Sequence, residues 1–161
     1  MAKRKKSRAK SKKQVVVEHS LPSGFWPQVA AIFLIVISII IVISWFGAGG
    51  PVPVWLNDFL LDVIGYATYV VPFVAIFIAV AVFKAEENRL PGVFKFASLV
   101  LILWFSGLMG LLRKDGAAST GGVVGDGINS GVLALVNVPV AMFTYVVLIL
   151  VTLMFVLQKS P

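Results

Sequence analysis

Several residue types that support catalysis are absent or nearly absent from this 161-residue chain. It contains no cysteine, which excludes disulfide bonds, thiolate nucleophiles and cysteine-ligated zinc. Its single histidine is His19, so the chain cannot supply a paired-histidine metal site or a Ser-His-Asp triad. No G-x-x-x-x-G-K-[ST] sequence is present, which excludes nucleotide binding by a P-loop. The sequence therefore predicts no catalytic residue, no metal site and no cofactor.

Charged residues are also scarce, at 13% of the chain, whereas 59% of the residues are hydrophobic. Soluble domains average about 25% charged and about 45 to 50% apolar residues. A soluble core of this size could not bury so much apolar surface, so a bilayer must serve as part of the solvent. The composition therefore predicts an all-α membrane protein.

Four segments with almost no charge are long enough to cross the hydrocarbon core, which requires about 20 apolar residues. The predicted spans are residues 28–46, 64–83, 93–112 and 139–157, within a four-helix transmembrane domain over 25–158. Pro72 lies near the middle of the second span and predicts a kink there. Between the first two spans, the sequence GAGGPVP followed by VWLNDFLLDV predicts an interfacial loop or a short amphipathic turn.

The positive charge is concentrated in a basic tail, residues 1–24, in which eight of the fourteen basic residues lie within the first fourteen positions. These eight residues are Lys3, Arg4, Lys5, Lys6, Arg8, Lys10, Lys12 and Lys13. We expect them to set the orientation of the chain and to bind membrane lipid, because anionic lipid attracts each cation by about 1 kcal/mol. No aromatic residue precedes Phe25, so base stacking on nucleic acid is unsupported.

The distribution of cations predicts that both termini are cytoplasmic, including the short end at residues 159–161. The tail, the second loop with Lys95, and Lys159 place twelve cations on the cytoplasmic side and leave only Arg113 and Lys114 outside. A cleaved secretory signal is the rival interpretation of the basic start. It is disfavoured because the first apolar run is longer than the usual signal core of about 7 to 15 residues.

A glycine-rich external segment, residues 116–138, precedes the fourth span and contains six glycines between Gly116 and Gly131. Glycines separated by four residues give a helix a smooth face that another backbone can approach closely. We therefore predict helix packing and assembly through Gly121, Gly122, Gly125, Gly127 and Gly131. A short interfacial or half-inserted helix accounts for both the glycines and the intervening valines, and a flexible external loop is the alternative.

This arrangement resembles the amino-terminal four-span membrane domain of the FtsK/SpoIIIE DNA translocases, over about residues 25–157. The resemblance rests on the basic tail, the four spans, the short second loop and the sequence GGVVG at 121–125 before the last apolar region. It implies a multi-pass anchor in the bacterial inner membrane at the division septum, assembled as a homo-hexamer. Division-septum proteins are further implied partners, and DNA would be contacted only through a motor domain.

The motor domain is not found within these 161 residues, so we expect this chain not to be an enzyme. It could be a fragment, a truncated product or a free-standing module. Two alternatives from other functional classes stay open: a small oligomeric pore or carrier, and an orphan structural membrane protein. A carrier with coupled ion binding is disfavoured because the predicted spans hold no charged residue away from their ends.

Overall fold

A computed structural model describes residues 25–84, 92–112 and 120–158, which form six α-helices and one 3-10 helix and contain no strand. In chain order the elements are α1 (Phe25–Ser44), α2 (Pro51–Ile64), the 3-10 helix (Gly65–Tyr69), α3 (Val71–Lys84), α4 (Gly92–Leu111), α5 (Gly122–Val132) and α6 (Val138–Gln158). The basic tail and the residues 159–161 lie outside the described residues. The predicted all-α architecture is confirmed.

Three of the described helices, α1, α4 and α6, are long and apolar enough to cross a membrane singly. Twenty helical residues rise about 30 Å, which matches the hydrocarbon core. Only 22% to 28% of the residues in their apolar windows are buried, and Phe33 and Phe143 are 63% and 71% exposed. Such surfaces are stable only when lipid covers them. Their ends agree to within three residues with the predicted spans 28–46, 93–112 and 139–157.

The region predicted as the second span, residues 64–83, belongs to a bent pair of helices rather than to one straight helix. Residues Pro51–Tyr69 and Val71–Lys84 meet at an angle of 71°. Helix α2 ends at Gly65, whose φ of 61° favours glycine, and the chain continues as the 3-10 helix. The 71° bend itself lies at Val70, two residues before Pro72, so the chain does bend beside the proline at which a kink was predicted. The segment predicted as a loop or short turn is the 14-residue helix α2.

The helices are arranged as two packed pairs, α1 with α3 and α4 with α6, and α5 fills the space beside α2 and α4. Small side chains mark the closest approach of the first pair, where Ala31 and Ala79 are fully buried. Phe94 of α4 joins the same core and stacks on Phe77 of α3, with ring centroids 5.9 Å apart. The two pairs therefore share one small apolar core.

Charges within the described residues are segregated to opposite ends of the bundle. Lys84 ends α3 and Lys95 lies in the first turn of α4, so both lie at one end. Asp58 and Asp62 lie on α2 and Asp126 on α5, and α5 packs on the second half of α4. A cationic end and an acidic end are the pattern that the positive-inside tendency produces in a membrane protein.

Candidate helix-packing site

The glycine-rich helix α5 packs with its backbone directly against α4. A Cβ atom at position 121 would lie 2.6 Å from the carbonyl oxygen of Ser106 and 2.7 Å from the Cα atom of Gly110. A Cβ atom at position 125 would lie still closer to the Ser106 carbonyl. Backbone atoms cannot move aside as a flexible side chain can, so only glycine fits at positions 121 and 125 without displacing a helix.

A second glycine contact joins the start of α5 to Gly65, where α2 ends. Gly122 and Gly65 both have positive φ angles, 66° and 61°, and a Cβ atom at position 122 would lie 2.5 Å from the backbone nitrogen of Gly65. Next to this contact, the Tyr66 N–H donates a hydrogen bond to the carbonyl oxygen of Thr120, with N···O 2.9 Å. The bend between α2 and α3 therefore provides the surface on which α5 begins.

Two hydroxyl groups bind backbone carbonyls across the contact between α4 and the start of α5. The Ser106 hydroxyl donates to the carbonyl oxygen of Gly121, with an O···O distance of 2.6 Å. The Thr120 hydroxyl donates to the carbonyl oxygen of Met109. The Ser106 bond is buried and the Thr120 bond is partly buried, so both satisfy polar groups within the contact.

A buried polar network then joins α5 to both α4 and α6. The Asn129 side-chain amide donates from Nδ2 to the carbonyl oxygen of Gly107 at 2.9 Å, and the Tyr145 hydroxyl donates to Asn129 Oδ1 at 2.8 Å. Asn129 is 5% exposed and Tyr145 is 2% exposed. The tyrosine ring lies so close to α4 that a Cβ atom at position 107 would be 2.7 Å from its Cζ. One asparagine thus connects three helices.

The five glycines predicted to form the packing and assembly face do not lie on one side of α5. Gly121, Gly122 and Gly125 are buried against α4 and the helix break, whereas Gly127 and Gly131 are exposed and have no atom near the position of a Cβ. Gly127 is two residues beyond Gly125, about 200° round the helix. Among the described residues, no atom packs against the Cβ positions of Gly127 and Gly131, and their role in assembly stays a prediction.

Several residues of this site were not predicted from the sequence, among them Gly65, Gly107, Asn129 and Tyr145. Gly65 carried a signal, since a glycine at the second position of the predicted span 64–83 interrupts an otherwise apolar run. Asn129 and Tyr145 carried none, because neither residue belongs to a recognisable motif and their pairing depends on how α5 docks. The eight tail cations lie outside the described residues, so their role at the membrane surface stays a prediction.

The chemistry of the site is packing rather than ligand binding. In residues 25–84, 92–112 and 120–158, no group of three or more His, Cys, Asp or Glu side chains is arranged to hold a metal ion. The contacts are backbone to backbone, with short hydroxyl and amide side chains that satisfy the carbonyl groups between them. Such an arrangement fixes α5 in one position against three neighbouring elements.

Comparison with known proteins identifies the family. The sequence model of one family, described as the 4TM region of DNA translocase FtsK/SpoIIIE, matches residues 44–160. No curated protein and no solved structure matches the chain. The match begins at the last residue of α1, whereas the resemblance was expected to begin at about residue 25. It covers more than half of the chain and includes all of α2 to α6. The chain therefore belongs to the family formed by the membrane region of the FtsK/SpoIIIE DNA translocases.

Proposed function

We propose that this chain is a noncatalytic anchor and assembly domain of a DNA-translocase system that serves chromosome segregation and cell division. The observation that carries the proposal is the family match over residues 44–160, which covers the membrane region of such translocases rather than their motor. The structure supports an anchoring role, because three of the described helices are long and apolar enough to cross a membrane.

The proposed setting is the bacterial inner membrane with both termini in the cytoplasm. The segregation of Lys84 and Lys95 from the three described aspartates supports this orientation, since cytoplasmic ends are enriched in cations. We further propose that the chain forms a homo-oligomer, with the hexamer as the state that the family resemblance implies. The open surface at Gly127 and Gly131 supports contact between chains, because a second helix could approach there closely. Membrane lipid and division-septum proteins are the other proposed partners, and DNA is contacted through a motor domain.

The hydroxyl groups within the spans argue against the pore or carrier alternative. Ser38, Ser98 and Thr144 each donate to the carbonyl oxygen four residues earlier in their own helix, at 2.7, 3.0 and 2.8 Å. Ser38 and Ser98 are also fully buried, so their oxygen atoms do not line an open path through the chain. In liposomes that contain the purified chain, we expect ion flux no greater than in empty liposomes, and a selective flux would support the pore.

The proposal is tested by the location of the chain in cells and by the proteins that copurify with it. A fluorescent fusion should concentrate at the division septum, and an affinity-tagged chain extracted in mild detergent should copurify with a FtsK/SpoIIIE-type motor or with septum proteins. An unrelated four-span protein carrying the same tag serves as the control. Uniform distribution round the membrane, together with no enrichment of such proteins over the control, would contradict the proposed function.

A further inference from the structure

An apolar groove opens between the two helix pairs, where α3, α4 and α6 diverge. Its volume is about 240 Å³, and its walls include Phe73 and Phe77 of α3, Leu101 of α4, and Ile149 and Leu153 of α6. On α6 the groove runs from Ile149 to Leu157, which corresponds to about 12 Å along the helix axis. All three helices belong to the membrane-crossing part of the chain, so the groove opens toward lipid.

The groove offers no polar group that would hold water. Ser98 is the one hydroxyl residue in its lining, and its hydrogen is donated to the carbonyl oxygen of Phe94. An apolar cavity of roughly 150 Å³ already stays dry and accepts hydrocarbon in preference to water. The larger groove in this chain should therefore hold a hydrocarbon molecule or chain.

The width of the groove favours an acyl chain over a helix of a second copy. An α-helix with its side chains is about 10 to 12 Å wide, so it could place only single side chains in a groove of about 240 Å³. A single acyl chain is narrow enough to enter from the side and to run along the helices.

Two lysines lie where the headgroup of such a lipid would be. Lys84 follows Phe77 by seven residues, which places it on the same face of α3 and about 10 Å further along the axis. Lys95 is one turn before Ser98 on α4, and both lysines are exposed. The three other charged residues that the structure describes are aspartates at the opposite end of the bundle.

We propose that this groove binds one acyl chain of an anionic phospholipid whose phosphate is held by Lys84 and Lys95. The apolar walls account for the chain, and the two cations at the same end account for the charge of the headgroup. The proposal concerns a lipid site on one chain and does not depend on a role in DNA translocation.

The first test fills the groove. The full chain in mild detergent is mixed with phosphatidylglycerol, and bound lipid is counted by native mass spectrometry for L153W and for its control L150W. Both leucines lie on α6 and are partly exposed, at 39% and 54%, but only Leu153 lines the groove. L153W should lose most of the bound lipid and L150W should retain it. F73W, at another exposed wall position, is a second groove-filling variant, and circular dichroism shows whether each variant is folded.

The second test removes the charge. The unchanged chain should retain phosphatidylglycerol in preference to phosphatidylcholine, and K84Q or K95Q should each lower the affinity for phosphatidylglycerol about fivefold. D62N, a change of charge at the opposite end, is the matched control and should leave that affinity unchanged. Equal lipid retention by folded L153W, F73W and L150W would overturn the groove site. An unchanged affinity for phosphatidylglycerol in folded K84Q and K95Q would overturn the role of the lysines, whatever lipid the basic tail retains.

Discussion

At the scale of single residues, the absence of a Cβ atom controls how closely α5 approaches its neighbours. Gly125 faces the Ser106 carbonyl with no room for a methyl group, whereas Gly127 faces open space two residues later. Alanine substitutions at these two positions separate two effects of a glycine-to-alanine change in a helix. One is the cost of a steric clash, and the other is the gain in helix propensity.

We predict that G125A lowers the free energy of unfolding by about 1 to 3 kcal/mol, because α5 or α4 must shift to accommodate the methyl group. G127A is the matched control and should raise stability by about 0.5 to 1 kcal/mol, because alanine favours the helix over glycine. Unfolding of the purified chain in mixed micelles measures both values. A G125A variant as stable as G127A would show that α5 does not pack on α4 as described.

The Tyr145–Asn129 hydrogen bond gives a second prediction at this scale. Y145F leaves Asn129 Oδ1 buried without its donor, and N129A removes the amide from both of its bonds. Interhelical hydrogen bonds in membrane proteins contribute about 0.6 kcal/mol on average and up to about 1.7. We predict a coupling energy of about 1 kcal/mol from the cycle of Y145F, N129A and the double variant. Strictly additive losses of stability would contradict a direct bond between the two side chains.

At the scale of elements, long apolar runs predicted the three helices that can each cross a membrane. Helices α1, α4 and α6 each coincide with a run of about 20 mostly apolar residues, which is a local property of the sequence. The end of α2 at Gly65 was not predicted, because the apolar pattern continues through this glycine. A hydropathy pattern indicates which residues can lie in lipid, but it does not indicate where a helix ends or bends.

The same limit applies to the packing site. The spacing of Gly121, Gly122 and Gly125 indicated a close contact, and the structure identifies Ser106, Gly110 and Gly65 as the groups they face. Asn129 bonds to residues 22 and 16 positions away on α4 and α6. Those partners depend on how three helices dock against one another. A sequence pattern within one segment cannot predict such contacts.

The exposed surface of α2 has one side suited to lipid and another suited to water. Phe59 is 50% exposed and stacks on Trp55 with ring centroids 5.7 Å apart, while Asp58 is exposed about 100° round the helix. Because the helical segments before and after Val70 meet at 71°, α2 can lie along the membrane surface while α3 enters the bilayer.

We predict that spin labels at F59C and D58C report different surroundings, although the two residues are adjacent. The label at position 59 should be more accessible to oxygen, which concentrates in lipid, and the label at position 58 to a water-soluble nickel complex. The natural chain has no cysteine, so each label is unique without further substitution. Equal accessibility at both positions would contradict an interfacial position of α2.

At the scale of the whole molecule, the inner and outer faces of α5 should have separate roles. Gly125 faces α4 within the same chain, and Gly131 faces outward. We predict that G131L leaves helix content and thermal stability nearly unchanged but shifts the detergent-solubilised mass toward the monomer. G125L should instead lower the stability of the chain itself. A chain that is strictly monomeric before any substitution would remove the assembly role of the outward face.

We propose a four-crossing membrane domain with both termini in the cytoplasm and α5 at the opposite side of the bilayer. Labelling of single cysteines in intact cells with a membrane-impermeant thiol reagent tests it most directly, at positions before, within and after the bundle. S119C, just before α5, should react from outside, whereas S7C and S160C should react only after the membrane is opened. Reaction of exactly one of the two terminal cysteines in intact cells would show an odd number of crossings and would contradict the account.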